Sequence, residues 1–139
     1  MSLPEPPLLP QDPEEQALVA DPRLAHAIAL FNGGDWYACH DGLEELWHET
    51  SGRMRPLLQG ILQIAVAELH HERGNLRGAT ILMGEGLGRL QGDLEGGLGL
   101  DLVSLRRQVG ERLQALQQQR PLRGLDLPRL HAVTSKADL

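Results

Sequence analysis

The chain has 139 residues, of which 41% are apolar and only four are aromatic, and its formal charge is −6 at pH 7. This length suits one domain, and a core built from Leu, Ile, Val and Ala favours packed helices over a β-sandwich. The Lys and Arg residues form no dense cluster, so the composition argues against a phosphate-binding surface and predicts no nucleic-acid partner.

The cysteine count and the lack of long apolar runs narrow the class of protein further. Cys39 has no second cysteine with which to form an internal disulfide or a cysteine-based zinc site. No run of 18 apolar residues is present, and the first residues carry neither a basic leader nor an apolar signal core. The sequence therefore predicts a soluble cytoplasmic protein that does not interact with membranes.

The chain begins with a proline-rich tail, residues 1–12, which is followed by two helix-start signals. Four of the first ten residues are proline, and proline favours extended polyproline geometry. The pairs Asp12-Pro13 and Asp21-Pro22 each combine a good N-cap residue with a proline that the first helical turn tolerates. Two helices are therefore predicted, and the first must end before Pro22.

The centre of the chain predicts an antiparallel helical hairpin. Its first helix spans residues 36–51 and is ended by Gly52, and its second spans residues 56–72, starting near Pro56. Because only about four residues connect the two helices, they are expected to pack as antiparallel neighbours.

A further helix follows the hairpin and contains three glycines. Asn75 is its predicted N-cap, and Gly84, Gly86 and Gly88 interrupt its apolar pattern, each at a cost of about 1 kcal/mol relative to alanine. These glycines indicate either close packing against a neighbouring helix or local weakness, and the sequence leaves both readings open.

The remaining sequence completes an all-α fold. After the Gly-rich stretch 84–99, an apolar repeat predicts a last helix over about residues 101–119. Residues 121–139 are predicted to form an extended tail over the bundle. The predicted architecture is a compact bundle of about five helices, formed by residues 13–120 and built around the central hairpin.

Polar residues recur at helical spacing on both helices of the hairpin. In the hairpin register, Trp47 is expected to face Gly60, and Glu44 is expected to face Gln63. Buried polar groups must satisfy one another with hydrogen bonds. The pattern therefore predicts an inner polar cluster or ligand-binding site formed by His40, Asp41, Glu44, Trp47, Gln59, Gln63 and His70.

The same stretch resembles a known family of small helical proteins. The segments FNGGDWYACHDGLEELWHE and LLQGILQIAVAELHHERGNLRGATILM are similar to the pattern of the family called domain of unknown function 309. The resemblance covers roughly residues 28 to 90 and implies a compact all-helical domain found in bacteria and archaea, without an established activity. This chain has Asp41 where the family has Glu. The matching residues are Phe31, Asn32, His40, Glu44, Trp47, Gln59, Gly60, Gln63, His70, Gly74, Asn75, Gly78 and Ala79.

Two readings of the cluster remain open. His40 and Glu44 lie four residues apart on a helix and could both reach one divalent metal ion, with His70 or Asp41 completing the set. Alternatively, Glu44 accepts hydrogen bonds from His40 and Gln63 in a closed network. No cofactor is firmly predicted, and a divalent metal is the alternative.

Two other patterns are interpreted as structural. Glu45 with His48, and Glu68 with His71, imitate the Glu-x-x-His pairs of di-iron bundles. They lie at different levels of the hairpin, about 9 to 18 Å apart at 1.5 Å per residue, and are predicted to be surface charges. Cys39 is predicted to be a small core residue rather than a nucleophile.

The predicted function is a non-enzymatic interaction or scaffold module whose polar cluster fixes the register of the two helices. The alternative is a metal or small-ligand site in which His40 and Glu44 carry hydrolytic or acid–base chemistry. The sequence leans against an enzyme. It leaves the protein partner unknown, and self-association through the Leu-rich later helices is a further expectation.

Overall fold

The computed structural model describes residues 12–91 and 96–133 and shows an all-α protein, as predicted. Within these residues the only β-type pairings are isolated bridges, from Gly97 to Leu100 and from Leu100 to Ala132. None of the described helices combines the length and apolar character needed to cross a bilayer. The described part contains six helices: α1 (Pro13–Ala20), α2 (Pro22–Asn32), α3 (Trp36–Glu49), α4 (Met54–Glu72), α5 (Leu76–Leu90) and α6 (Leu102–Gln117).

The first two helices begin at the predicted signals. The side chain of Asp12 accepts a hydrogen bond from the Glu14 amide, and that of Asp21 accepts one from the Arg23 amide. Each aspartate thus satisfies a free N–H group in the first helical turn, where the following proline has none to offer. Nearly all of the predicted proline-rich tail lies outside the described residues.

The core is aliphatic, with one aromatic contact near its edge. Phe31 at the end of α2 and Trp36 at the start of α3 meet edge to face with ring centroids 5.1 Å apart. The indole Nε1 of Trp36 donates to Glu72, so its polar end is satisfied although the ring is buried. The largest fully buried side chains are those of Phe31, Leu43, Leu46, Met54, Leu57, Leu58, Ile61, Ile64, Met83, Leu90, Leu105 and Glu68.

The turn between α3 and α4 differs by a few residues from the prediction. α3 ends at Glu49 rather than at the predicted residue 51, because Thr50 adopts an extended backbone and its hydroxyl donates to the Leu46 carbonyl at 2.7 Å. α4 begins at Met54, which places Pro56 inside the first turn. Proline is tolerated there since the first N–H groups of a helix have no intrahelical acceptor.

The first helix is anchored to this turn by Glu14. Its carboxylate accepts hydrogen bonds from the amides of Ser51 at 3.1 Å and Gly52 at 2.7 Å. These backbone donors lower the pKa of Glu14, because they stabilise its ionised form. The next residue, Glu15, links α1 to the segment before α6, because its carboxylate accepts a hydrogen bond from the Leu98 amide at 2.9 Å.

Helix α4 lies between α3 and α5 and packs against both. Two glycines, Gly60 of α4 and Gly86 of α5, meet at the contact between these helices. A Cβ atom built on Gly86 would lie 2.9 Å from the Gly60 carbonyl oxygen and 2.9 Å from Cγ1 of Ile64. The predicted glycine pattern in α5 therefore reflects close packing at Gly86. Gly84 and Gly88 have open space at the same position.

Residues after α6 lie across the bundle. The side-chain amide of Asn32 donates to the Leu130 carbonyl at 2.9 Å and its oxygen accepts from the Leu130 amide at 2.7 Å. Gln108 on α6 accepts from the Arg129 amide at 3.0 Å. These three bonds satisfy a stretch of backbone that forms no regular secondary structure. Residues 134–139 of the predicted tail lie outside the described part.

A buried ion pair links α4 to α6. Nε and Nη2 of Arg112 donate to the two carboxylate oxygens of Glu68, each at 2.6 Å, and the side chains are only 3% and 1% exposed. The prediction that Glu68 is a surface charge is therefore wrong. Glu45 is exposed and pairs with Arg23 at 2.9 Å.

Candidate functional site

The exposed face of α3 carries the polar residues that the sequence singled out. His40 and Glu44 are one turn apart, and Nε2 of His40 lies 3.0 Å from a Glu44 carboxylate oxygen. His48 is one turn further along and lies 3.4 Å from the other oxygen of Glu44. Nδ1 of His40 also lies 3.2 Å from Asp41. Three neighbouring turns of α3 thus present a continuous ladder of imidazole and carboxylate groups.

This ladder borders a shallow cleft between α3 and α4, which we call the α3–α4 cleft. Its volume is about 180 Å³, and Glu44 and Trp47 of α3 line one wall. The opposite wall comes from α4, through Gln59, Leu62 and Gln63. Four of the seven predicted cluster residues therefore meet here, on the two helices and in the neighbourhood that the hairpin pattern predicted.

The cleft lies at the surface, which corrects the prediction of an inner cluster. The side chain of Glu44 is 44% exposed, that of His40 is 29% exposed and that of Asp41 is 62% exposed. The apolar residues of α3 that enter the core are on its other face, at Cys39, Leu43 and Leu46. The two polar stripes consequently contact solvent and are not enclosed by the hairpin.

The hydrogen bonds of Gln63 also differ from the predicted network. Its amide nitrogen donates to Glu85 at 3.0 Å, and its oxygen accepts from Nε of Arg89 at 2.9 Å. Both partners belong to α5. Gly60 is predicted to make room for Trp47, but it also faces α5. A Cβ atom built on Gly60 would lie 3.1 Å from the Gly86 carbonyl oxygen. The predicted register considered only α3 as the neighbour of α4.

His70 is separate from the other cluster residues. Its Nδ1 lies 3.1 Å from the side-chain amide of Asn75, beyond the end of α4. Asn75 in turn accepts from the Gly78 amide and caps α5, as predicted. A Cβ on Gly78 would lie 2.5 Å from that side-chain nitrogen. The motif residues His70, Asn75 and Gly78 therefore form the α4–α5 turn.

Trp47 is the most unusual residue of the cleft. The guanidinium carbon of Arg55 lies 3.9 Å from the centre of its ring, and Arg55 also donates to the backbone carbonyls of Trp47 and Thr50. The indole Nε1 is buried and has no hydrogen-bond partner among the described residues. An unpaired buried donor costs about 1–3 kcal/mol. The ring is thus fixed in place by packing and by Arg55.

Metal-ligating side chains do not converge in the described part of the chain. Across residues 12–91 and 96–133, no group of three or more His, Cys, Asp or Glu side chains has an arrangement that could hold a metal ion. Glu44 contacts both His40 and His48, yet the three groups are strung along one helix. The predicted metal site of His40, Glu44 and His70 is also disfavoured because His70 contacts Asn75 at the end of α4, apart from the other two residues.

Cys39 is a core residue, as predicted. Its side chain is fully buried, and burial raises the pKa of its thiol to about 12, with a smaller contribution from the nearby carboxylate of Asp35. The thiolate is the reactive form, and it is sparsely populated at neutral pH when the pKa is this high. Cys39 is therefore unsuited to act as a nucleophile.

Thiol reactivity tests this assignment. In the native protein at pH 8, Cys39 is expected to react with a chromogenic disulfide reagent many times more slowly than in denaturant, where burial is lost and the pKa falls back to its ordinary value. The absorbance of the released thiol measures both rates. Stoichiometric reaction of the native protein at the denatured rate would show that Cys39 is accessible and refute the assignment.

The buried pair of Glu68 and Arg112 escaped the sequence interpretation. A signal for it was present, because Glu68 continues the apolar spacing of Ile61, Ile64 and Ala65 on α4. Arg112 likewise lies three residues after Val109 on the buried stripe of α6. Opposite charges that each interrupt an apolar stripe predict a buried ion pair. This local pattern is more specific than the general tendency of glutamate to be exposed.

Comparison with known proteins supports the resemblance in sequence. Residues 24–82 match the family model DUF309, described as a domain of unknown function, which confirms the predicted resemblance. The chain is also 36% identical over 88 residues to "Uncharacterized protein YpuF" of Bacillus subtilis (strain 168). That alignment covers 59% of this chain and 51% of the relative, so the chain spans about half the length of the relative. The matched region includes both walls of the α3–α4 cleft.

Proposed function

We propose, for a chain whose residues 24–82 match a domain of unknown function, that the protein is a non-enzymatic interaction module. The α3–α4 cleft is its recognition surface. The observation that carries the proposal is the convergence of a carboxylate, a fixed indole ring and two side-chain amides around one exposed cleft. Tryptophan is among the residues that contribute most to protein interfaces, especially where it is rigid and partly desolvated.

The chemistry of the cleft favours a basic segment of a partner protein. Glu44 supplies negative charge at the cleft wall, and Asp41 adds a carboxylate about one turn earlier on the same helix. Glu45 and Glu49 are already paired with Arg23. The protein as a whole carries a formal charge of −6. Complementary charge speeds association and excludes acidic partners. A Lys or Arg side chain at Glu44 with an apolar neighbour against Leu62 fits this lining.

The amides of the cleft have different roles. Gln63 is held by Glu85 and Arg89, so its bonds stabilise the contact between α4 and α5. Gln59 makes no side-chain hydrogen bond to any residue in the described part of the chain, which leaves its amide available to an incoming backbone group. The scaffold role first predicted for the cluster therefore rests on Gln63, and the recognition role rests on Glu44, Trp47 and Gln59.

Selection of peptides on the immobilised full chain tests the proposal. From a displayed library of random peptides, the wild-type protein is expected to enrich sequences rich in Lys and Arg. Binding of an enriched peptide should weaken about tenfold in Glu44→Gln, since one close charge pair of this kind is worth roughly 1.4 kcal/mol or more. Gln59→Ala is expected to weaken the same peptide, and fluorescence anisotropy of a labelled copy measures each affinity.

The matched control is Glu111→Gln, which removes the same charge from the exposed face of α6. It should leave peptide affinity within about twofold, because Glu111 lies on a different helix from the cleft walls and its charge is screened by solvent and salt. Equal affinity for wild type and Glu44→Gln, or enrichment without basic residues, would contradict the proposed surface.

The alternative function, a metal or small-ligand site with hydrolytic or acid–base chemistry at His40 and Glu44, makes a different prediction. It requires metal in protein purified without chelator, and it requires that metal to be lost in His40→Ala. Elemental mass spectrometry of both proteins separates the two functions. Near-stoichiometric zinc, iron or manganese that depends on His40 would replace the interaction module with a metal site.

Self-association remains a separate proposal. Leu76 and Ile81 on α5 and Val103 on α6 are large apolar residues at the surface, as an interface between copies requires. Sedimentation equilibrium at high micromolar concentration tests it. A single monomeric species over that range would remove a second copy as the partner of these helices.

A further inference from the structure

A second surface cavity lies away from the α3–α4 cleft, where the end of α4, the start of α5 and the end of α6 meet. Its volume is about 560 Å³, within the range of cavities that hold small organic ligands. We call it the α5–α6 cavity. Five of its nine lining residues lie between positions 116 and 122, outside the region matched by the family model.

The two charged residues of this lining are both arginines. Arg77 in the first turn of α5 and Arg120 after α6 both line the cavity, together with the imidazole of His71. No Asp or Glu is among the lining residues, although the whole chain has 19 acidic and 13 basic residues. A carboxylate-free lining with two arginines in an acidic protein produces a local field that attracts anions.

The guanidinium groups keep donors available. Arg77 makes no hydrogen bond or ion pair with any residue of the described ranges, and Nε of Arg120 donates to Gln118 at 2.7 Å. The terminal nitrogens of both groups therefore remain free to bind an oxyanion in the two-pronged geometry that arginine favours. The N-terminal end of α5 adds partial positive charge beside Arg77.

The rest of the lining is apolar. Leu116 and Leu122 are buried, and the exposed side chain of Leu76 forms part of the wall. Pro121 adds a rigid apolar surface beside Arg120. Such walls favour the burial of hydrocarbon, which an inorganic ion does not carry.

The backbone at this cavity is strained. Gln119 has a φ of +56°, a left-handed conformation that is unfavourable for a non-glycine residue. This conformation follows directly after α6, where the Arg120 amide donates to the Ala115 carbonyl at 2.8 Å and reverses the chain. The reversal brings Arg120 and Leu122 to the same cavity wall.

We infer that the α5–α6 cavity binds a small organic anion with an apolar body, whose carboxylate or phosphate group contacts Arg77 and Arg120. This site goes beyond the interaction surface proposed above and does not depend on it. The anionic group supplies acceptors for the guanidinium of Arg77 and for the terminal nitrogens of Arg120, and the hydrocarbon part packs on the leucines. His71 adds a ring nitrogen to the lining, whereas the Thr80 hydroxyl already donates to the Leu76 carbonyl at 2.7 Å.

Titrations of the isotope-labelled full chain test this inference, with amide chemical shifts of Thr80 and Leu122 as the readout. The probes are hexanoate, hexyl phosphate, hexanol and inorganic phosphate. At least one of the two amphipathic anions is expected to bind with a Kd near or below about 1 mM, and hexanol is expected to give no saturable shift. The stronger of the two anions identifies the head group.

Charge-removing variants locate the site. Arg77→Gln and Arg120→Gln should each weaken binding of the better anion about tenfold, equivalent to roughly 1.4 kcal/mol. Arg123→Gln is the matched control, because Arg123 is exposed, carries the same charge and is absent from the lining. It should change the Kd by less than about twofold if the contact is local rather than a long-range charge effect.

Four outcomes would overturn the inference. Two concern the probes: hexanol binds as tightly as hexanoate, or inorganic phosphate binds as tightly as hexyl phosphate. The third is an equal effect of Arg77→Gln and Arg123→Gln on the Kd. The fourth is that neither amphipathic anion gives a saturable shift up to about 10 mM, which corresponds to a binding free energy below roughly 3 kcal/mol. The comparisons among probes use the wild-type protein, so they hold even if a variant is less stable.

Discussion

Glu68→Ala is expected to lower the free energy of unfolding by about 3–5 kcal/mol, because it leaves the guanidinium group of Arg112 buried without its counter-charge. Arg112 is 3% exposed and both of its short bonds go to Glu68, with only a longer contact of 3.4 Å to the Asp126 carbonyl remaining. Urea unfolding followed by far-ultraviolet circular dichroism measures the loss. Arg112→Ala should be similarly destabilising for the converse reason.

Two further variants separate burial from the ion pair itself. The double variant Glu68→Leu with Arg112→Met replaces the pair with apolar side chains of comparable size, and it should recover most of the lost stability, since such replacements are often neutral. Glu111→Ala breaks the exposed pair with Arg107 and should cost less than about 1 kcal/mol. If Glu68→Ala cost no more than Glu111→Ala, the buried pair would not have the role described.

Gly86→Ala is expected to destabilise the protein by about 2–3 kcal/mol, because the new methyl group would overlap the backbone of α4. Its Cβ would lie 2.9 Å from the Gly60 oxygen, and the nearest side-chain atom, Cγ1 of Ile64, is equally close. A backbone carbonyl in a packed helix cannot move aside without separating α4 from α5. The midpoint of urea unfolding measures the change, provided that the slope of the transition stays constant.

Glycines in the same helix provide the control. A Cβ on Gly84 or Gly88 would meet nothing within 4 Å. Gly88→Ala should therefore raise stability by about 0.5–1 kcal/mol through the higher helix propensity of alanine. A stabilising effect of Gly86→Ala equal to that of Gly88→Ala would mean that the helices do not approach as closely as the structure shows.

The sequence predicts the helices well, because their ends depend on local chemistry. Asp12, Asp21 and Asn75 cap helices with hydrogen bonds to amides two or three residues away. Such signals act within a single turn and can be recognised without knowing the rest of the fold. They account for the all-α class and for most helix starts, whereas the end of α3 depends on Thr50, a weaker signal than the glycine that follows.

The candidate site is less predictable, because its residues depend on which helix lies on each side of α4. The hairpin rule predicts that Glu44, Trp47, Gln59 and Gln63 lie near one another, and all four line one cleft. It does not say that α5 packs against the other side of α4 and takes the hydrogen bonds of Gln63. The exposure of these side chains also depends on which other helices cover them, and the hairpin pattern does not include those helices. Two polar stripes on adjacent helices can meet at a surface groove as easily as in an interior.

The paired hydrogen bonds between Asn32 and Leu130 have a consequence for how the chain is made. The two residues are 98 positions apart, so Asn32 emerges from synthesis long before its partner exists. At roughly 5–20 residues per second, the interval is about 5–20 s, far longer than a helix takes to form. During that time the end of α2 keeps an unfilled amide side chain and an uncovered edge of the core. The end of α2 therefore reaches its final set of contacts only after the segment that contains Leu130 has been made.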